Sequence, residues 1–167
     1  MAVELARLAA PSHPPDFQFE RVLSLAGLTV WWEVACEVIG RPHDIVAVGA
    51  RCYTEMGPES DSPLQCYVGL LSGRPVATAC LVLGAGVAGL YGVGTLPDVR
   101  CRGIGTAMTL SALQRAQDMG CRLAVLRASA QGAPLYRRLG FREYCRINTY
   151  LWEANTSDTG QQVELNG

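Results

Sequence analysis

The stretch from Leu90 to Thr109 constrains this chain more than any other. It reads Leu-Tyr-Gly-Val-Gly-Thr-Leu-Pro-Asp-Val-Arg-Cys-Arg-Gly-Ile-Gly-Thr-Ala-Met-Thr. It opens as an apolar strand, which Pro97 ends. Arg100-Cys101-Arg102-Gly103-Ile104-Gly105 then turns tightly, and Thr106 opens a helix. The first amides of a helix have no partner within it. Together with the helix dipole they favour an anion, typically a phosphate. Arg100 and Arg102 add positive charge beside them, and the glycines allow a ligand close to the backbone. A strand, a turn and a helix arranged to receive a phosphate-bearing ligand therefore sit at the centre of the fold.

The rest of the chain can build a domain around that unit. It has 167 residues, 49% hydrophobic and only 17% charged, enough for one domain with a real core and too apolar for disorder. The net charge of −1 leaves no basic field for nucleic acid. Seven cysteines stand at 36, 52, 66, 80, 101, 121 and 145, none at Cys-x-x-Cys spacing. No metal site is expected from them; they read as reduced thiols of a cytoplasmic protein. The first fifteen residues hold no sustained apolar region, so no signal peptide is expected. From Pro75 to Pro97 there is no charge, a run long enough to span a bilayer. Glycines at 84, 86, 89, 92 and 94 among β-branched residues suit two buried strands and a turn better, and no membrane association is expected.

In order, residues 1–16 read as a flexible N-terminal arm. Phe17 to Leu23 alternates as a first strand. Leu28 to Ile39 has helical spacing, with Thr29 as its cap and Gly40 as its stop. Asp44 caps a second helix that runs to about Met56. Gln65–Leu71, Val76–Leu83 and Val87–Thr95 form an antiparallel meander. The helix of the central motif runs from about Gly103 to Met119, Leu123–Leu126 is a short buried strand, and Pro134 starts a short helix ending at Gly140. Phe141 to Trp152 reads as one long strand or a bent pair. Residues 17–152 thus form a single α/β domain, a mixed, mostly antiparallel sheet flanked by helices. Residues 153–167 read as a disordered tail. Gly84-Ala85-Gly86-Val87-Ala88-Gly89 matches the dinucleotide pattern Gly-x-Gly-x-x-Gly. Gly92, Gly94 and Pro97 deny it the helix that must come next, so it reads as a hairpin turn. Neither glycine cluster carries a Walker lysine.

The spacing Arg100-x-x-Gly103-x-Gly105 after a strand and a proline resembles the acyl-CoA signature of the GNAT superfamily of N-acetyltransferases. Alone, that turn reads better as a structural one, since glycine turns into helices are common. A second match lies downstream: Ser129-Ala130-Gln131-Gly132-Ala133-Pro134-Leu135-Tyr136-Arg137-Arg138-Leu139-Gly140-Phe141 resembles the family's polar residue before a Leu-Tyr helix and a Leu-Gly-Phe. The resemblance covers roughly Gln65 to Trp152. It implies a sheet whose fourth and fifth strands, Val87–Thr95 and Leu123–Leu126, splay apart to admit acetyl-CoA. Val93, Gly94 and Thr95 would meet the pantetheine. Arg100, Cys101, Arg102, Gly103, Ile104, Gly105 and Thr106 would surround the pyrophosphate, with Ser129 and Gly132 completing the cofactor site.

Tyr136 matches the family's general acid. A phenol stays protonated at pH 7 and can protonate a leaving thiolate. Two departures stand out. Ser129 replaces a common Asn, and Leu90 to Thr95 has no carboxylate to act as base. Glu33, Glu37, His43 and Asp44 lie in the segment that covers the acceptor site in the family, and each reads as a solvated or capping residue. The resemblance implies transfer of an acetyl group from acetyl-CoA to a small-molecule or peptide amine by direct attack in a ternary complex. The alternatives are a non-catalytic acyl-CoA-binding sensor and a partner subunit. After Trp152 no apolar segment supplies a seventh strand. An open edge of that kind is usually covered, by a bend of the last strand or by a second copy in a homodimer.

Overall fold

The computed structural model describes residues 1–56, 62–148 and 150. Ten regular elements succeed one another: β1 (Ala2–Glu4), β2 (Phe17–Arg21), α1 (Leu25–Ile39), α2 (Val46–Glu55), β3 (Leu64–Leu71), β4 (Arg74–Gly84), β5 (Val87–Thr95), α3 (Ile104–Asp118), β6 (Leu123–Leu126) and α4 (Ala133–Arg138). The six strands make one sheet in the order β1-β6-β5-β4-β3-β2. All pairs are antiparallel except β5 and β6.

The uncharged run forms β4, the hairpin turn and β5. Gly84 pairs with Val87, and Ala85 and Gly86 make the reversal at φ +50° and +74°. Both faces are covered along Val76–Leu81 of β4 and Ala88–Leu90 of β5, which is why these stretches lack polar alternation; Val82 and Tyr91 beyond them are exposed. Along β3 the side chains go alternately to two clusters, as pleating requires. Tyr67 joins the larger cluster, which holds Ile104, Met108 and Leu113 of α3 with Ala79 and Leu81 of β4 and Leu90 of β5. Cys66 and Val68 join the smaller one, with Leu28 and Trp31 of α1, Ala50 of α2 and Cys80 of β4. Truncating a filled position such as Leu113, fully buried, to alanine costs about 2–5 kcal/mol.

The start of α1 lies earlier than its periodicity suggests. Ser24 is the cap, its hydroxyl accepting from the Gly27 amide at 3.1 Å. Thr29 sits inside the helix and donates to Leu25 O at 2.9 Å. Asp44 lies in a 3-10 turn, His43–Ile45, that leads into α2 without capping it.

Larger departures occur at the ends of the chain. Residues 1–16, expected as a loose arm, are tied to the sheet. Ala2, Val3 and Glu4 pair with Val125, Ala124 and Leu123, and Val3 and Leu5 enter the core. Further on, His13 Nε2 lies 2.7 Å from Ser111 Oγ. Three residues are too few for a periodic signal, so this strand is invisible in the sequence. Its presence changes the other end. Phe141 is buried, and Arg142 makes a single bridge to Ala2, but Glu143–Asn148 and Tyr150 form no strand. The edge of β6 that the last strand or a second copy was expected to cover is covered by β1. Thr149 and the stretch 151–167, with the expected tail, lie outside the described residues.

Candidate cofactor site

The site begins where two strands part. β5 and β6 pair in parallel from Val87 with Leu123 to Leu90 with Leu126. β6 ends there, while β5 continues to Thr95 paired, among the described residues, only with β4. Leu96 N donates to Val76 O at 2.9 Å, so strand alternation turns the polar groups of Thr95 toward the open edge. The ladder with β4 slips between Thr78 and Cys80. Gly92 absorbs the slip at φ +56°, a conformation that favours glycine. Its carbonyl accepts from Thr78 Oγ1 at 2.7 Å, and Trp31 Nε1 donates to Ala79 O at 3.1 Å. Gly94 is required for packing: a Cβ there would lie 2.5 Å from Val38 Cγ1, because the last turn of α1 crosses the end of β5.

The 3-10 turn Pro97–Val99 comes next, and the chain then reverses through Cys101 at φ +62° and Gly103 at φ +80°. A left-handed cysteine costs of order 1 kcal/mol, which places backbone strain directly before α3. Ala107 N bonds Gly103 O at 3.0 Å as the first helical bond, and no side chain caps the amides before it. Gly103, Gly105 and Thr106 retain exposure; Ile104 is buried. A Cβ on Gly105 would lie 3.7 Å from both Leu135 Cδ2 and Thr95 Oγ1. The end of β5, the start of α3 and the side of α4 therefore meet at Gly105.

The two arginines differ. Arg102 is exposed. Arg100 donates from Nε to Thr95 O at 3.0 Å and from Nη2 to Val38 O at 3.4 Å. It fastens α1 to the open edge as well as adding charge there. Ser129 closes the loop before α4: its hydroxyl accepts from Gly132 N at 3.1 Å and its carbonyl from Ala133 N at 2.9 Å. Gly132 lies against the Tyr136 ring, which a Cβ would approach to 3.1 Å.

Tyr136 is 8% exposed and meets Phe141 edge-to-face at 5.7 Å. Burial pushes its phenol above the usual value near 10, and hydrogen bonding with Thr109 opposes that. The Thr109 hydroxyl donates to Gly105 O at 2.8 Å, which ties this neighbour of the phenol to the helix start. Val38 and Thr109 were not expected at the site. Thr109 carries a signal in the sequence, since it stands one helical turn after Gly105; Val38 carries none. At the other end of β5, a depression is lined by Gln65, Leu83, Gly84, Gly86, Met119 and Cys121. It adjoins the second glycine cluster and the C-terminus of α3, where the helix dipole disfavours anions.

The family model for the acetyltransferase (GNAT) family matches residues 27–141, well over half of the chain. The chain belongs to the GNAT acetyltransferase family. A GCN5-related N-acetyltransferase from Kribbella flavida superposes with a TM-score of 0.63 at 31% identity, covering 84% of this chain and 52% of that one. AAC(6')-Iy, solved in complex with the bisubstrate analogue CoA-S-monomethyl-acetylneamine, superposes with a TM-score of 0.64 at 21% identity, covering 86% and 100%. At that identity the likeness shows the fold. Mycothiol acetyltransferase of Pseudarthrobacter chlorophenolicus is 38% identical over 58 residues, 33% of this chain and 18% of that protein. This GNAT chain thus spans under a fifth of that curated relative and about half of the Kribbella flavida protein. Among the described residues no helix is long and apolar enough to cross a membrane, and no group of three or more His, Cys, Asp or Glu is placed to hold a metal.

Proposed function

We propose that this GNAT chain moves an acetyl group from acetyl-CoA to an amine by direct attack within a ternary complex. The observation that carries the reading is the convergence at Gly105. There an unpaired strand edge opens beside uncapped helix amides. The edge suits the amides of a pantetheine, and the helix start suits a pyrophosphate. Val93 and Thr95 supply the first, with Gly94 between them admitting α1 closely, and Arg100 to Thr106 supply the second, with Ser129 and Gly132 shaping the far wall. The bisubstrate analogue bound by AAC(6')-Iy, which carries CoA, supports the same class of reaction here.

Tyr136 serves as the general acid. Its raised pKa keeps the proton on the phenol throughout the neutral range, where it is available to a departing thiolate. β5 carries no carboxylate from Leu90 to Thr95, so amine deprotonation falls to another group or to water. That same feature favours a second reading, an acyl-CoA sensor without turnover. Titration calorimetry with acetyl-CoA, then a thiol-release assay over a panel of amines, decides between them. Micromolar binding with thiol release supports the enzyme, and binding without release across the panel supports the sensor. Absence of binding removes both. Size-exclusion chromatography tests separately whether the chain forms the homodimer expected from the sequence.

A further inference from the structure

The smaller of the two cores contains a pair of thiols that the site does not use. Cys66 on β3 stands directly opposite Cys80 on β4. Their register position matters. Leu83 N donates to Pro63 O at 2.7 Å, and on the other side of β3 Val22 N donates to Cys66 O at 2.9 Å. Both bonds fix the alternation: Cys66 turns its peptide groups toward β2, so Cys66 and Cys80 are a non-hydrogen-bonded pair across the β3–β4 ladder. In antiparallel sheets such pairs bring the Cα atoms to about 4.5 Å, closer than the alternate pairs. That separation lies within the range a disulfide spans. The two side chains share one face and one cluster, and both are buried, with exposures of 4% and 2%. The Cys80 thiol itself donates to Leu81 O at 3.7 Å.

We propose that Cys66 and Cys80 are a redox-active dithiol that closes to a cross-strand disulfide under a small peroxide. The step balances as two thiols and one hydrogen peroxide giving one disulfide and two waters. One sulfur attacks a peroxide oxygen, releasing water and leaving a sulfenic acid. The second sulfur displaces hydroxide from it, and the thiol proton completes the second water. Access is through a crevice lined by Val22, Leu28, Tyr53, Leu64 and Cys66, with room of about 10 Å³, the size of one water. That opening admits one oxygen of a peroxide at a time and excludes a tripeptide disulfide. The neighbouring Cys80 thiol and burial push the Cys66 thiol up, which slows its attack on the peroxide.

The position gives the bond a route to the splayed strands. Trp31 belongs to the same cluster, donates to Ala79 O beside Cys80, and lies against Gly92, near which Cys80 Cβ also stands. A bond drawing β3 and β4 together at Cys80 acts directly on the bulge that shapes the end of β5.

The test treats the purified chain with hydrogen peroxide and alkylates remaining thiols in denaturant. It then digests with chymotrypsin, which cuts after Tyr67 and Leu71, between the two cysteines. The expected result is a peptide pair joined through Cys66 and Cys80 in non-reducing mass spectrometry, lost on reduction. Quenching of tryptophan fluorescence should develop at the same rate, as a disulfide forms in the cluster that holds Trp31 and packs Trp32. Cys66→Ser and Cys66→Ala should each abolish both signals, and Cys80→Ala provides a third check should either fail to fold. Complete alkylation of Cys66 and Cys80 after the exposed Cys52, Cys101 and Cys145 have reacted overturns the proposal. So does linkage of either to a different cysteine. The readouts need no acetyl-CoA and stand apart from the acyltransfer reading.

Discussion

β5 has a glycine-rich turn at each end, and the two have opposite fates. Before the strand, Gly84-Ala85-Gly86 satisfies a nucleotide-binding pattern and is a hairpin reversal, its neighbours paired with each other. After it, Arg100 to Gly105 leads into a fifteen-residue helix with uncapped amides. Both use left-handed residues, Ala85 and Gly86 at one end, Cys101 and Gly103 at the other. Local composition and backbone conformation are therefore not what makes an anion site. The element after the turn decides it: a strand consumes the amides in a ladder, while a helix leaves its first ones free.

The sharpest way to separate the two ends is to crowd them equally. Gly94→Val places a branched side chain where even a Cβ would lie 2.5 Å from Val38. Overpacking of this kind costs about 1–3 kcal/mol and lifts α1 from the edge that the cofactor would use. Acetyl-CoA affinity should fall at least tenfold in calorimetry, with a lower melting temperature. At Gly84 a Cβ would meet nothing within 4 Å, and Gly84→Val should leave affinity unchanged. Equal loss in both variants would mean that neither end is special.

Tyr136→Phe asks whether the C-terminal end also holds chemistry. Loss of a general acid lowers turnover by about 10²–10⁴. Binding measured by calorimetry should stay within about twofold, since the ring and its contact with Phe141 remain. Equal turnover in the two proteins would assign Tyr136 to packing.

Alkaline titration gives a smaller, graded effect. Burial raises the phenols of Tyr53, Tyr67 and Tyr136, that of Tyr53 to about 12. A phenol raised in the folded state ionises first in the unfolded chain, near pH 10. The stability linked to it is thus complete below about pH 10 and is lost as pH rises through the folded values. Tyrosinate absorbance at these three positions should appear together with loss of circular dichroism. In Tyr136→Phe one of the three titrations disappears, and the alkaline limb of unfolding becomes shallower.

The strands and helices nearest the site were legible because their signals are local. β5 and β6 have the bounds that the apolar runs suggest, and α3 runs from Ile104 to Asp118 within the expected helix. The splay was legible only through the paired motifs, since β6 is four residues long and its early end is a property of pairing. The contacts that complete the site were not legible. Val38 reaches Gly94, and Arg100 reaches Val38 O, across a sequence separation of more than fifty residues. No periodicity encodes such a meeting. The same holds at the sheet edge: Phe141 to Trp152 has strand composition, yet β1 occupies the edge it needed, and composition cannot report competition for one row of hydrogen bonds.

The smallest effect is the most discriminating. Gly103→Ala and Gly86→Ala each force an alanine into a left-handed conformation, at φ +80° and +74°, with no close steric contact at either. Each should lose about 1–2 kcal/mol of stability, nearly the same in a denaturant titration. Their cofactor affinities should part. At Gly86 the neighbouring amides belong to a ladder and the strain stays local. At Gly103 the residue is the last before α3, and strain there re-aims the free amides that would face the proposed anion. A fall in acetyl-CoA affinity in Gly103→Ala alone, against matched losses of stability, assigns binding to the helix start. Matched affinities as well would return the C-terminal turn to the same class as the hairpin.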